Sequence, residues 1–164
     1  MIAYNTPMTA TAHALVAGAI AAKFSDPTTA SILALSSHYI MDSIPHWDFG
    51  TNWRMRTKTA TGTFAIAETV FGMGASWYIF GSSAPFITFT AALVSSLLPD
   101  WAEAPWYMFF ANAKKKEPSA RANSLEKLFF GAYKLQNRFH TKAQLPFGLV
   151  TQVATVAFFL FLLK

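Results

Sequence analysis

A chain of 164 residues and 18.1 kDa has room for one compact domain. Hydrophobic residues make up 53% of it and charged residues 13%, about half the charged share of an ordinary soluble protein, with 16% aromatics and a mean hydropathy of +0.30. That balance excludes a disordered chain and a charged coiled coil, and it argues against a soluble globular domain. Without cysteine there is no disulfide framework and no thiolate site, so any metal ion must be held by His, Asp or Glu.

Charge-poor runs set out the predicted elements. They cover 10–22, 27–41, 59–67, 69–99 and 143–163, with Glu68 interrupting the third and fourth. Gly81-Ser82-Ser83-Ala84-Pro85 is a turn signal within the longest run. A bilayer crossing needs about 20 mostly apolar residues. Five hydrophobic helices follow, near 8–24, 28–44, 60–80, 85–100 and 145–163. The expected fold is an all-α membrane protein, a single transmembrane helical domain over 1–164, in which the first two helices are short enough to form a tilted or half-inserted hairpin instead. No Arg-rich start with a small-residue cleavage site occurs, so no removable signal peptide is expected.

The net charge of +5 is unevenly placed. Of the thirteen Lys and Arg, Arg54, Arg56 and Lys58 lie in the 47–59 connector, and eight lie between Lys114 and Lys142. Basic short loops stay cytoplasmic, so both connectors and the N-terminus are expected on the inner side of the membrane. The segment 113–142 reads as a basic juxtamembrane excursion. Ser124 can cap a helix that aligns Leu125, Leu128, Phe129, Ala132 and Leu135 or Gln136. Such a segment either binds anionic lipid headgroups or is a solvated loop obeying the same topology rule. Topology accounts for the basic residues and no recognition module is present, so nucleic acid is not an expected partner. Ala10-Ala14-Gly18-Ala22 gives the first helix a flat face for close helix contact.

The polar residues within this apolar framework carry the chemistry. His13, His38, Asp42, His46, Asp48, Glu68, Asp100, Glu103 and His140 fall in or beside the helices, and all four histidines are among them. No Lys or Arg occurs from Pro27 to Trp53 or from Thr59 to Ala113, so Asp42, Glu68 and Asp100 have no basic partner in their own segments. A carboxylate in low dielectric must be protonated, paired or bound to a cation. Four histidines beside the acids favour a divalent metal ion, with zinc the expected identity and more than one ion allowed. The expected ligands are His13, His38, Asp42, His46, Glu68, Asp100 and His140, which five segments bring to one membrane face.

His38 and Asp42 are four apart and share a helical face, from which imidazole and carboxylate can reach one ion. Pro45 ends that helix and places His46, Trp47 and Asp48 on a turn that can fold back over it. A short internal repeat pairs Ile44-Pro45-His46-Trp47 with Leu98-Pro99-Asp100-Trp101, and His13 with Glu68, as in two related helical hairpins.

Three stretches, Thr11-Ala12-His13, Pro99-Asp100 and Asn137-Arg138-Phe139-His140-Thr141, resemble the bacterial inner-membrane metal-dependent hydrolases, which include the LexA-binding inner-membrane-associated hydrolases. The resemblance implies the bacterial inner membrane as location. Locally, His38-Tyr39-Ile40-Met41-Asp42 is similar to the helix-borne His-[Phe/Tyr]-[Ile/Leu]-Gly-Asp of zinc-dependent phospholipase C and the single-strand-specific zinc nucleases, with Met41 in place of Gly. That similarity implies His38 and Asp42 as ligands, with Asp42 able to bridge two ions and either His46 or Asp48 completing the set.

The function expected from these readings is a membrane-embedded metal-dependent hydrolase of a phosphoester, on a lipid or similar amphiphile. Asp42 would anchor or bridge the ions, and Glu68 or Asp48 would ligate or act as general base. The alternatives are a non-enzymatic membrane protein whose helices a metal staples together and an ion or proton pathway. Membrane lipids are the expected partners, and the oligomeric state is left open.

Overall fold

The structure is a computed structural model and describes residues 9–47, 57–112, 115–141 and 143–164. It is all-helical over these residues. α1 (Ala10–Lys23), α2 (Pro27–Ser43), α3 (Lys58–Phe80), α4 (Phe86–Pro105), α5 (Ser124–Phe139) and α6 (Phe147–Leu162) follow in chain order, and a π-helical turn, Trp106–Phe110, extends α4.

Local chemistry explains the ends. Asp26 caps α2 by accepting from the Thr29 N–H at 2.7 Å, with Pro27 in the first turn. Thr57 caps α3, and Asn123, rather than Ser124, caps α5 by accepting from the Glu126 N–H. Pro45 forces Ile44 into an extended conformation and stops α2 there. Pro99 does not stop α4, which runs on to Pro105 and carries Asp100 and Glu103 on helix.

α1 sits at the centre and packs against α2, α3, α4 and α6. Ten of its fourteen residues are buried, mostly Ala and Gly. The small residues permit close approach: a Cβ on Gly18 would collide with Ser76 Oγ, and one on Gly72 would come within 2.6 Å of the Thr11 Cα. The core continues from α1 into Ala30, Ala34 and Met41 of α2 and Phe89, Ala92 and Leu93 of α4.

This architecture corrects the membrane reading. Among the described residues no helix is both long and apolar enough to cross a membrane. α1, α2 and α6 have 14, 17 and 16 residues. At about 1.5 Å per residue they fall short of a hydrocarbon core about 30 Å thick. α3 and α4 have the length, but Thr, Ser, Gly and Glu68 dilute the first, and Asp100 and Glu103 lie in the second. The multi-pass inner-membrane placement, the cytoplasmic N-terminus and the assignment of ligands to one leaflet are therefore withdrawn. The uncharged run of α1 belongs to a helix enclosed by its neighbours, which produces such a run as well as a membrane span does, whereas the runs of α3 and α6 keep large apolar side chains exposed.

The expected juxtamembrane excursion contains α5, which packs on α4 and α2. Its inward face carries Phe129, Phe130 and Tyr133, which pack on Trp106 and Phe110. Leu125, Leu128 and Leu135 are exposed, while Glu126 and Gln136 are buried. α5 thus brings polar groups to the helix bundle.

Candidate metal centre

Four short pieces of chain build the site. α1 supplies His13 from its first turns, and α2 supplies His38 and Asp42 one turn apart. The turn after Pro45 supplies His46, and the end of α5 supplies His140, which caps that helix in extended conformation. Backbone pairing locks the last two together: the Thr141 N–H donates to the Asp42 carbonyl at 2.9 Å, His46 N–H to the Thr141 carbonyl at 3.3 Å and Ala143 N–H to the His46 carbonyl at 2.9 Å. The Thr151 hydroxyl of α6 donates to the Pro45 carbonyl and pins the same turn from below.

Asp42 is the hub. Its Oδ1 is 3.2 Å from His13 Nε2, and its Oδ2 is 3.4 Å from His38 Nε2 and 3.5 Å from His140 Nδ1. His46 Nε2 is 3.1 Å from His140 Nε2. Donors bound tetrahedrally to zinc at 2.0–2.2 Å stand about 3.3–3.6 Å from one another, close to these separations of 3.1–3.5 Å. Two groups of donors result, His13–His38–Asp42 and Asp42–His46–His140, and they share Asp42. His13, His38, Asp42 and His46 have no solvent-exposed surface. This buried His/Asp cluster can hold a metal ion.

The electrostatics agree with the geometry. Burial, aided by the charge of His13, drives the His38 pKa down to about 3 against the pull of Asp42, Gln136 and the Ser96 backbone. His38 is therefore neutral at ordinary pH, as a metal ligand must be. Burial alone would raise the Asp42 pKa, but the charge of His13, hydrogen bonds from His13 and His140 and the charge of His38 together hold it below the usual carboxylate range. Among the described residues the ion-pair partners of Asp42 are all histidines; no Lys or Arg neutralises it. Tyr39 reports the negative field: burial raises its pKa, and Asp100, Asp42 and Glu103 raise it further. The Ile44 carbonyl, 2.7 Å from His46 Nδ1, accepts its hydrogen and leaves Nε2 as the lone-pair nitrogen facing His140.

Of the predicted site residues, His13, His38, Asp42, His46 and His140 converge. Asp100 stands at the rim, its Oδ1 3.8 Å from His38 Nε2, with 14% of its side chain exposed. Glu68 is engaged elsewhere. Its two carboxylate oxygens accept from the Ala10 and Thr11 N–H groups at 2.8 Å each, so it caps α1 from α3 and neither donor group includes it. Asp48 lies outside the described residues.

One participant escaped the sequence reading. Gln136 of α5, 3% exposed, places its Nε2 2.6 Å from Asp42 Oδ2, 2.9 Å from His38 Nε2 and 3.1 Å from Asp100 Oδ1. Its four-residue spacing to His140, the same as that of His38 to Asp42, is the signal that could have found it. Beyond Asp100, Glu103 is buried and accepts from the Tyr107 hydroxyl at 3.0 Å, and burial with the Glu103 charge pushes the Tyr107 phenol well up.

No family model matches the chain, and no curated protein or solved structure shows significant similarity to it.

Proposed function

We propose that this protein is a metal-dependent hydrolase of phosphoesters that uses two zinc-type ions sharing Asp42. The observation that carries the reading is the pair of His/Asp donor groups joined at one sealed, ionised carboxylate whose ion-pair partners, among the described residues, are histidines and neither Lys nor Arg. One shared carboxylate between two histidine-bearing groups suits a pair of ions, and paired ions suit in-line attack on phosphorus. Such ions supply polarisation of a phosphoryl oxygen and a nucleophilic water at neutral pH. The similarity of His38-Tyr39-Ile40-Met41-Asp42 to the zinc phospholipase C helix points the same way. The lipid-like part of the expected substrate rested on a site at a bilayer surface and is not carried forward.

In this reading His13 and His38 hold one ion, and His46 and His140 the other. Asp42, at the end of α2, would contribute its carboxylate to both. The Ile44 carbonyl orients His46 by accepting its Nδ1 hydrogen. Asp100, at the rim beside His38, would add a carboxylate oxygen to the first ion. Glu68, occupied at the start of α1, positions His13 one turn further on rather than serving as a base.

Elemental analysis of purified protein should find about two zinc per chain, and bis(4-nitrophenyl) phosphate hydrolysis should vanish with chelator and return with zinc. Asp42→Ala should lose both metal and hydrolysis. Stoichiometric metal without hydrolysis of any phosphoester tested would leave a structural staple, the second reading, which the closed burial of His13, His38 and Asp42 favours. Absence of metal from zinc-loaded wild type would end both.

A further inference from the structure

The amide of Gln136 stands where a cation would. Three acceptors, Asp42 Oδ2, His38 Nε2 and Asp100 Oδ1, converge on its Nε2 within 3.1 Å, although an NH2 group has only two hydrogens to donate. Its own Oε1, fully buried, has no hydrogen-bond partner. A buried amide oxygen without a partner is destabilising, and cores rarely tolerate it. Turning the amide by half a rotation would exchange the two atoms. Oε1 would then face two carboxylate oxygens, which repel it unless a cation lies between them.

We propose that Gln136 is a ligand of the ion held by His13, His38 and Asp42, its amide turning on loading so that Oε1 replaces Nε2 and joins Asp100 in the same shell. The proposal rests on the metal reading above and adds to it an oxygen-rich half of the site, built by α4 and α5. One amide serves both states. Its NH2 balances the clustered acceptors in the metal-free protein, and its carbonyl oxygen meets the ion in the loaded one. The donor set, histidine nitrogen with carboxylate and amide oxygens, suits a borderline divalent cation such as Zn2+ or Co2+.

The test compares wild type, Gln136→Leu and Gln136→Glu, each full-length, by zinc calorimetry, cobalt visible absorption and thermal melting of the metal-free form. Gln136→Leu should weaken the first zinc by about tenfold or more and alter the cobalt bands, because a ligand is lost. Gln136→Glu, which keeps an oxygen ligand but sets a third carboxylate against Asp42 and Asp100, should melt lower than wild type without metal. It should bind zinc within about threefold of wild type or tighter, and zinc should raise its melting temperature more than that of wild type. Gln136→Leu binding zinc as tightly as wild type, with unchanged cobalt bands, would overturn the proposal and make Gln136 a plug that gives way. Should Gln136→Leu not fold, a folded Gln136→Glu that fails to bind zinc overturns it equally. Wild type binding no metal at all overturns the metal reading itself, and is told apart because no variant is needed to see it.

Discussion

Asp42 faces three imidazoles and an amide, and every one of these partners can lose or rearrange a proton to suit what the carboxylate holds. His38 is the most constrained of them. With its pKa depressed to about 3, the native protein leaves it neutral where an unfolded chain would protonate it below the ordinary value of 6.5. The unfolded state then binds more protons, so this contribution is complete above pH 6.5 and is lost as pH falls toward 3. Metal-free protein should lose about 2 kcal/mol of unfolding free energy between pH 7 and pH 5 from His38. Urea melts at the two pH values measure it, and His38→Asn should flatten that part of the slope. Asp42, depressed as well, contributes its loss only below the ordinary carboxylate value near 3.8, outside that window. The four-residue spacing of His38 and Asp42 and the break at Pro45 made this half of the site readable along the chain. Gln136 was harder to read, because its four-residue spacing to His140 is the one signal it gives and an amide acquires a chemical role only from its neighbours.

At the scale of elements, the helices follow from uncharged runs punctuated by Asp26, Gly81 to Pro85 and Pro45, each acting through a cap, a turn or a missing N–H. What those runs do not reveal is which face turns inward. α5 presents Leu125, Leu128 and Leu135 outward, while Gln136 turns inward to the acids of α2 and α4 and Phe129, Phe130 and Tyr133 pack on the turn that follows α4. Glu68 shows the same limit: a lone acid in an apolar helix suggested a ligand, and the start of α1 claims it instead. Glu68→Ala should destabilise the protein by about 1–2 kcal/mol in urea melts, since two N–H groups at a helix start lose their acceptor. Glu68→Gln, which keeps one acceptor oxygen, should leave zinc stoichiometry unchanged. Loss of metal in that variant would return Glu68 to the site. Gly148 is a second structural control. A Cβ there would come within 2.6 Å of the Trp47 N and 2.9 Å of the His46 carbonyl carbon, so Gly148→Ala should push the His46 turn away and weaken zinc binding along with stability. Calorimetry and melts on the same variant check both effects.

Over the whole molecule, the apolar composition divides between an enclosed α1 and outer faces that keep large side chains exposed, among them Phe71 at 68% and Phe161 at 80%. The site itself joins α1, α2, α5 and the turns beside α6, so an ion bound there ties distant parts of the chain together. Zinc at about a hundredfold excess over its Kd should add about 2.7 kcal/mol and raise Tm by roughly 5–10 °C. Differential scanning with and without chelator measures the shift, and Asp42→Ala should abolish it.

The linear order of residues was enough to establish an all-helical chain, the boundaries of most helices and a histidine-rich acid cluster able to hold a metal ion, because capping, proline and periodicity act over a few residues. Whether the uncharged stretches cross a bilayer or pack on one another, which acids reach the histidines, and that an amide from α5 completes their ring depended on contacts between segments up to 143 residues apart. Those contacts arise from close helix packing at Gly18 and Gly72, of which the chain marks only the small-residue face of α1, and from backbone pairing around His46, which leaves no local mark.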